Sequence, residues 1–188
     1  MAKNCITEQA AQRQRDIEQG LRALMHTKQY EEITVSELCK ELKMPRRTFY
    51  RYFNDKKDVL DSLILHTLQE YSATNVGINI DEMERYFAFW MEKRSLLDAL
   101  QRSGLSSTIL DCALHLDQIE KNNDLLAFQS DLDGMRDAIF LFANSGMTAL
   151  VIAWHHSGFP TTPAQMARIA SRVLTQPLFK YAKEMPGS

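Results

Sequence analysis

The sequence predicts an all-α fold, and three observations carry that prediction. Glycine and proline are scarce, 7 and 5 in 188 residues, so few positions can break a helix. Apolar residues recur at spacings of three and four along most of the chain, the period of a helix buried on one face. Runs of β-branched residues, which would suit strands, are few.

Taken in order, Thr7 can cap a first helix running to about Thr27, with Ile17, Leu21, Leu24 and Met25 on one side. Residues 28–32 make a connection in which Tyr30 folds onto a small core. Thr34 or Ser36 can cap a second helix, and Thr34 with Glu37 has the spacing of a capping box. Val35, Leu38, Cys39 and Leu42 give that helix an apolar face. Pro45 disfavours a helical Met44 and suits the first turn of a new helix, so the boundary falls at Lys43 and Met44. The third helix, about Pro45 to Tyr52, has Phe49 and Phe53 on one side. Asn54 and Asp55 cap a connecting helix over residues 55–72, with Val59, Leu60, Leu63, Ile64 and Leu68 in its stripe. Residues 72–80 read as a linker around Gly77. The expected division is therefore an N-terminal domain over 1–72, with a helix-turn-helix at about 33–52, and a C-terminal helical domain over 80–185.

In that second domain, Asp81 is the expected cap of a helix bearing Met83, Tyr86, Phe87, Trp90 and Met91. Residues 93–95 bend the chain before Leu96, Leu97 and Leu100, and Gly104 closes that unit. Ser106 and Ser107 open a helix that Asn122 and Asn123 end, and residues 125–132 fit no clear element. Asp133 is the expected cap of an apolar helix running to about His156, stopped by Gly158 and Pro160. Thr162 and Pro163 start the last helix, which ends near Lys183 after a kink or split at Pro177.

Chemistry concentrates in the third helix. Between residues 43 and 57, Lys43, Arg46, Arg47, Arg51, Lys56 and Lys57 face Asp55 alone, a net +5 inside a chain of net −2. A local positive field on a short helix backed by two phenylalanines suits the major groove of duplex DNA. Guanidiniums pair with phosphates or guanine edges, and hydroxyls donate to phosphate oxygens. The candidate DNA contacts are Thr34, Pro45, Arg46, Arg47, Thr48, Tyr50, Arg51, Tyr52 and Lys56. Lys56 stands in the first turn of its helix, where the dipole disfavours a cation. That placement suggests a lysine waiting for a phosphate.

Enzymatic chemistry finds no constellation. There is no phosphate-cradling glycine loop, no Gly-x-Ser-x-Gly and no His-Glu-x-x-His. Cys5, Cys39 and Cys112 are far apart, with no metal-ligand spacing, so neither a metal nor a cofactor is expected. No apolar stretch reaches membrane-spanning length and the N-terminus lacks a secretory layout, so a cytoplasmic protein is expected.

Residues 15–62 resemble the N-terminal domain of the TetR family of bacterial transcription regulators. The likeness rests on Tyr30 with Ile33-Thr34-Val35, the helix-turn-helix, Thr48-Phe49-Tyr50 with Phe53, and Asp55-Lys56-Lys57-Asp58-Val59-Leu60. Trp154-His155-His156-Ser157-Gly158-Phe159-Pro160 resembles, more loosely, the C-terminal domain of a Firmicutes-type subgroup. Arg47 and Pro45 depart from the family, which usually has a small residue and a polar cap there, so no operator sequence carries over. The resemblance implies a sequence-specific regulator, a repressor binding a palindromic operator as a homodimer, with a C-terminal domain for ligand binding and dimerisation. The alternative is a TetR-like coactivator acting through a protein partner.

Those implications select further residues. A small hydrophobic effector would be lined by Phe87, Trp90, Met91, Leu110, His115, Phe140, Asn144, Met147 and Trp154. Solid core is the competing reading of the same residues. The last two helices would pair with their copies in a second subunit. Gly146, Ala149 and Ala153 form a small-residue line for close helix approach, joined by Met166, Ile169 and Val173.

Overall fold

A computed structural model describes residues 7–72, 79–121 and 131–175. All regular elements among them are helical: α1 (Glu8–Thr27), a 3₁₀ turn (Tyr30–Glu32), α2 (Val35–Glu41), α3 (Arg46–Tyr52), α4 (Lys56–Ser72), α5 (Ile80–Glu92), α6 (Arg94–Arg102), α7 (Thr108–Lys121), α8 (Asp131–His156) and α9 (Pro163–Thr175). The expected linker around Gly77, the break at Asn122 and Asn123, and Pro177 lie outside the described residues.

The chain forms two compact units. One comprises residues 1–70 and 95–124, the other 71–94 and 125–188. The first unit ends near the expected linker, but α6 from Ser95 onward and α7 return to it, a non-local pairing that a linear scan for linkers does not register.

In the first unit, α1 packs on α2 and α2 on α3. Ile17, Leu21 and Met25 of α1 are buried with Leu38 and Cys39 of α2, Phe49 of α3, Phe53, and Val59, Leu60, Leu63 and Ile64 of α4. The three-four spacing of those residues is what lets each helix put them on its inner side. Gly20 permits a close approach of α1 to Leu38 and Leu42. A Cβ there would stand 2.9 Å and 3.0 Å from the Leu42 methyls and 3.1 Å from Leu38 Cδ1.

Polar groups also join elements of this unit. Glu18 on α1 is 2% exposed, and its carboxylate accepts from Ser62 Oγ at 2.7 Å and meets His66 Nδ1 at 2.9 Å, both on α4. That hydrogen bond raises the His66 pKa above its ordinary 6.5, against the burial that would lower it. At the other end of α1, Arg102 donates to the carbonyls of Met25 (2.7 Å) and His26 (3.1 Å), which have no partner inside the helix. Ser103 Oγ accepts from the Tyr30 amide at 2.9 Å.

In the second unit, α5 runs chiefly against α9 and touches α8. Its core is aromatic. Phe87 meets Trp154 edge-on at 5.6 Å, and Trp154 meets Phe159 at 4.5 Å. Asn79, not Asp81, caps α5, because its extended backbone brings Oδ1 to within 2.9 Å of the Glu82 amide. Asp81 falls inside the first turn, where a carboxylate suits the dipole. At residue 131 the chain is already helical, so Asp133 is inside α8 and not its cap.

Candidate nucleic-acid interface

Helix α3 is built to present one side. Phe49 and Phe53 are fully buried, with ring centroids 6.0 Å apart, and anchor it to the first unit. Burying each side chain contributes about 1.5–3 kcal/mol. Arg46, Arg47, Tyr50 and Arg51 are exposed as a consequence of the helical period, and Thr48 and Tyr52 are half-buried at the edges.

The turn before α3 is a Schellman motif without glycine. Lys43 takes the left-handed conformation (φ 49°), the Met44 amide donates to the Cys39 carbonyl at 2.9 Å, and the Lys43 amide donates to Lys40 at 3.1 Å. Pro45 lies one residue earlier than expected, as the N-cap of α3 and not its first helical residue. Its carbonyl accepts from the amides of Thr48 (2.8 Å) and Phe49 (3.3 Å). Thr34 is the cap of α2, accepting from the Glu37 amide at 3.1 Å. Glu37 does not complete a capping box, because its carboxylate is ion-paired with Lys28. The reciprocal box forms instead at Gln29 and Glu32 on the 3₁₀ turn.

Arginines at the first two positions of a helix run against its dipole, and no acidic residue offsets them in the first turn of α3. Helix stability does not explain their placement. Among the described residues no carboxylate makes an ion pair with Arg46, Arg47 or Arg51, whereas Lys28 and Lys57 are paired with Glu37 and Asp61. Arg46 does have a side-chain partner on its own helix. Its Nη2 donates to Tyr50 Oη at 3.2 Å and its guanidinium carbon lies 5.8 Å from the Tyr50 ring centre.

Lys56 is placed differently from the expectation. Its Nζ donates to the carbonyls of Tyr30 (2.8 Å), Glu31 (3.2 Å) and Ile33 (3.0 Å), and sits 4.3 Å from the Tyr30 ring centre. An ammonium has three donors, and all three are engaged. A phosphate would have to displace one of them. Exposed Lys40, at the end of α2, and Lys43, in the turn before α3, were absent from the expected contacts. The signal available for them was charge and proximity to the turn.

The remaining expected residues separate. Phe87, Trp90 and Trp154 are buried in the second unit, with Met91, Asn144 and Met147 half-buried. Leu110 belongs to the first unit. The side chains of His115 and Phe140 lie outside those described. On α8, Gly146 faces open space, since a Cβ there would meet nothing within 4 Å, and Ala149 and Ala153 are exposed. Phe142, one turn before Gly146, is 59% exposed, and Ile169 and Val173 on α9 are 43% and 38% exposed. Met166 differs: it is buried inside its own unit. Phe142 was missed because its spacing alone does not tell an inner face from an outer one. No helix among the described residues is long and apolar enough to cross a membrane.

Residues 19–63 match the family described as bacterial regulatory proteins, tetR family. No curated protein matches the chain significantly. Among solved structures the chain is similar to the dihydroxyacetone kinase operon activator DhaS, at 18% identity over 93% of this chain and 98% of that one, with a TM-score of 0.53. That likeness is one of fold. It is also similar to the fatty acid degradation regulator FadR from Bacillus halodurans, at 15% identity over 94% and 98%, with a TM-score of 0.49.

Proposed function

We propose that this chain is a DNA-binding transcription regulator, a homodimeric repressor of a near-palindromic operator; the match of residues 19–63 to the tetR family supports the reading. The observation that carries the proposal is the surface of α3. Arg46, Arg47 and Arg51 are exposed without a carboxylate partner among the described residues, on a helix pinned from behind by Phe49 and Phe53. Such a surface costs self-repulsion in the free protein, and a polyanion relieves it.

One seven-residue helix reaches too few base edges for useful discrimination, and a two-fold pair doubles them. The exposed apolar residues of α8 and α9 support a second copy as the partner. Phe142, Gly146, Ala149 and Ala153 repeat at helical spacing, the small residues admit a close helix, and Phe142 would be covered. Phe142→Glu should then shift the protein from dimer to monomer in light scattering at micromolar concentration. A wild-type monomer would exclude the dimer.

The aromatic interior of the second unit, with Phe87, Trp90 and Trp154, favours a small apolar effector. Control would require that effector to prefer one dimer geometry over another. The decisive experiment is selection of bound duplexes from a random pool, followed by a reporter assay on the selected site. A palindromic consensus that lowers reporter output is expected. Output raised through the same site would reverse the sign of regulation. No enrichment at all would favour a coactivator that works through a protein partner.

A further inference from the structure

The geometry points to Tyr50 as a positioning residue that holds Arg46 for reading a guanine, so that the two side chains discriminate as one unit. This rests on α3 entering the major groove. Arg46 is the first helical residue of α3, and the N-terminal residues of a recognition helix are those that meet base edges. A bidentate arginine on guanine O6 and N7 is the commonest specific contact, and it demands a fixed guanidinium plane. An exposed arginine ordinarily samples many rotamers, and freezing them on binding opposes affinity.

Here the freezing is partly done beforehand. Tyr50 lies one helical turn after Arg46 and accepts a hydrogen bond from Nη2 at 3.2 Å, with the guanidinium near its ring face at 5.8 Å. The tyrosine is itself held: its ring meets the fully buried Phe49 edge-on at 5.3 Å. Order therefore passes from the core, through Phe49 and Tyr50, to a cation at the surface. Arg47 and Arg51 have no such support among the described contacts, and their expected task is the phosphate backbone, where a point charge suffices. A tyrosine touching only phosphate would strengthen all sequences equally. A tyrosine acting through Arg46 strengthens one base over the other three.

The test is random-pool selection with four full-length proteins: wild type, Arg46→Ala, Tyr50→Phe and the double variant. Wild type should prefer guanine at one position of each half-site, and Arg46→Ala should lose that preference. Tyr50→Phe keeps the ring and loses the hydroxyl, so discrimination at that position should fall about 3–10-fold, with other positions and the salt slope unchanged. In the Arg46→Ala background, Tyr50→Phe should change nothing further. If Tyr50→Phe keeps full discrimination, or if the two substitutions act independently, the positioning role is overturned while the DNA reading stands. If wild type enriches no sequence, the DNA reading falls and the pair with it. Unchanged thermal midpoints for the variants would confirm that folding does not produce the difference.

Discussion

Replacing Lys56 by Met separates two roles that sequence alone cannot. The aliphatic stem is kept and the ammonium removed. Two of its three carbonyl bonds, to Tyr30 and Ile33, are partly buried, and the third, to Glu31, is exposed. A hydrogen bond to a charged group contributes about 1.5–3 kcal/mol, less where water competes. The contact with the Tyr30 ring at 4.3 Å adds about 0.5–1 kcal/mol. Setting the exposed bond aside and taking the low end for the other two and for the ring contact, the loss should be about 3.5 kcal/mol. Urea unfolding would read it as a lower midpoint at an unchanged slope. A phosphate contact, by contrast, contributes about 0.9 to the salt dependence of log K. Lys56→Met should therefore leave the salt slope of DNA binding unaltered. A stability loss below about 0.5 kcal/mol, with a slope smaller by about one, would refute this assignment.

Gly20→Ala should fail to stabilise the protein, because about 1 kcal/mol gained in helix propensity is offset by about 1–3 kcal/mol of overpacking against the Leu38 and Leu42 methyls. A Gly20→Ala protein more stable than wild type in urea would contradict that close approach. The His66 pKa is raised by its bond to Glu18, so the stability it adds is complete below pH 6.5 and fades as pH rises through the folded value. Wild type should lose stability from pH 6 toward pH 8 relative to His66→Gln, by a small amount because the histidine is half-exposed. Parallel pH profiles for the two proteins would remove the linkage.

Local signals were read well. Thr7 and Thr34 cap α1 and α2, accepting from Ala10 and Glu37, because a hydroxyl three residues before a free amide is a purely local geometry. Phe49 and Phe53 were assigned to the inner side of α3 by spacing alone, and both are fully buried. Asn79 takes the capping place expected of Asp81 because backbone conformation decides it, and composition cannot supply that. Non-local partners were not legible. Lys56 meets Tyr30 across 26 residues, and Glu18 meets Ser62 and His66 across 44 and 48. Gly20 carries no local signal of its role, which is set by Leu38 and Leu42 packed against it. Of the DNA candidates, the exposed arginines kept the expected setting and Lys56 did not, because an ammonium takes whichever acceptors the fold brings near.

The central claim is that the exposed side of α3 enters duplex DNA, and site-directed photo-crosslinking tests it most directly. One reactive group replaces Arg47, exposed on α3, and another replaces Arg168, exposed on α9. Irradiation with the selected duplex should give crosslinks from position 47, at symmetric positions in the two half-sites, and none from position 168. Crosslinks from position 168 with none from position 47 would contradict the account.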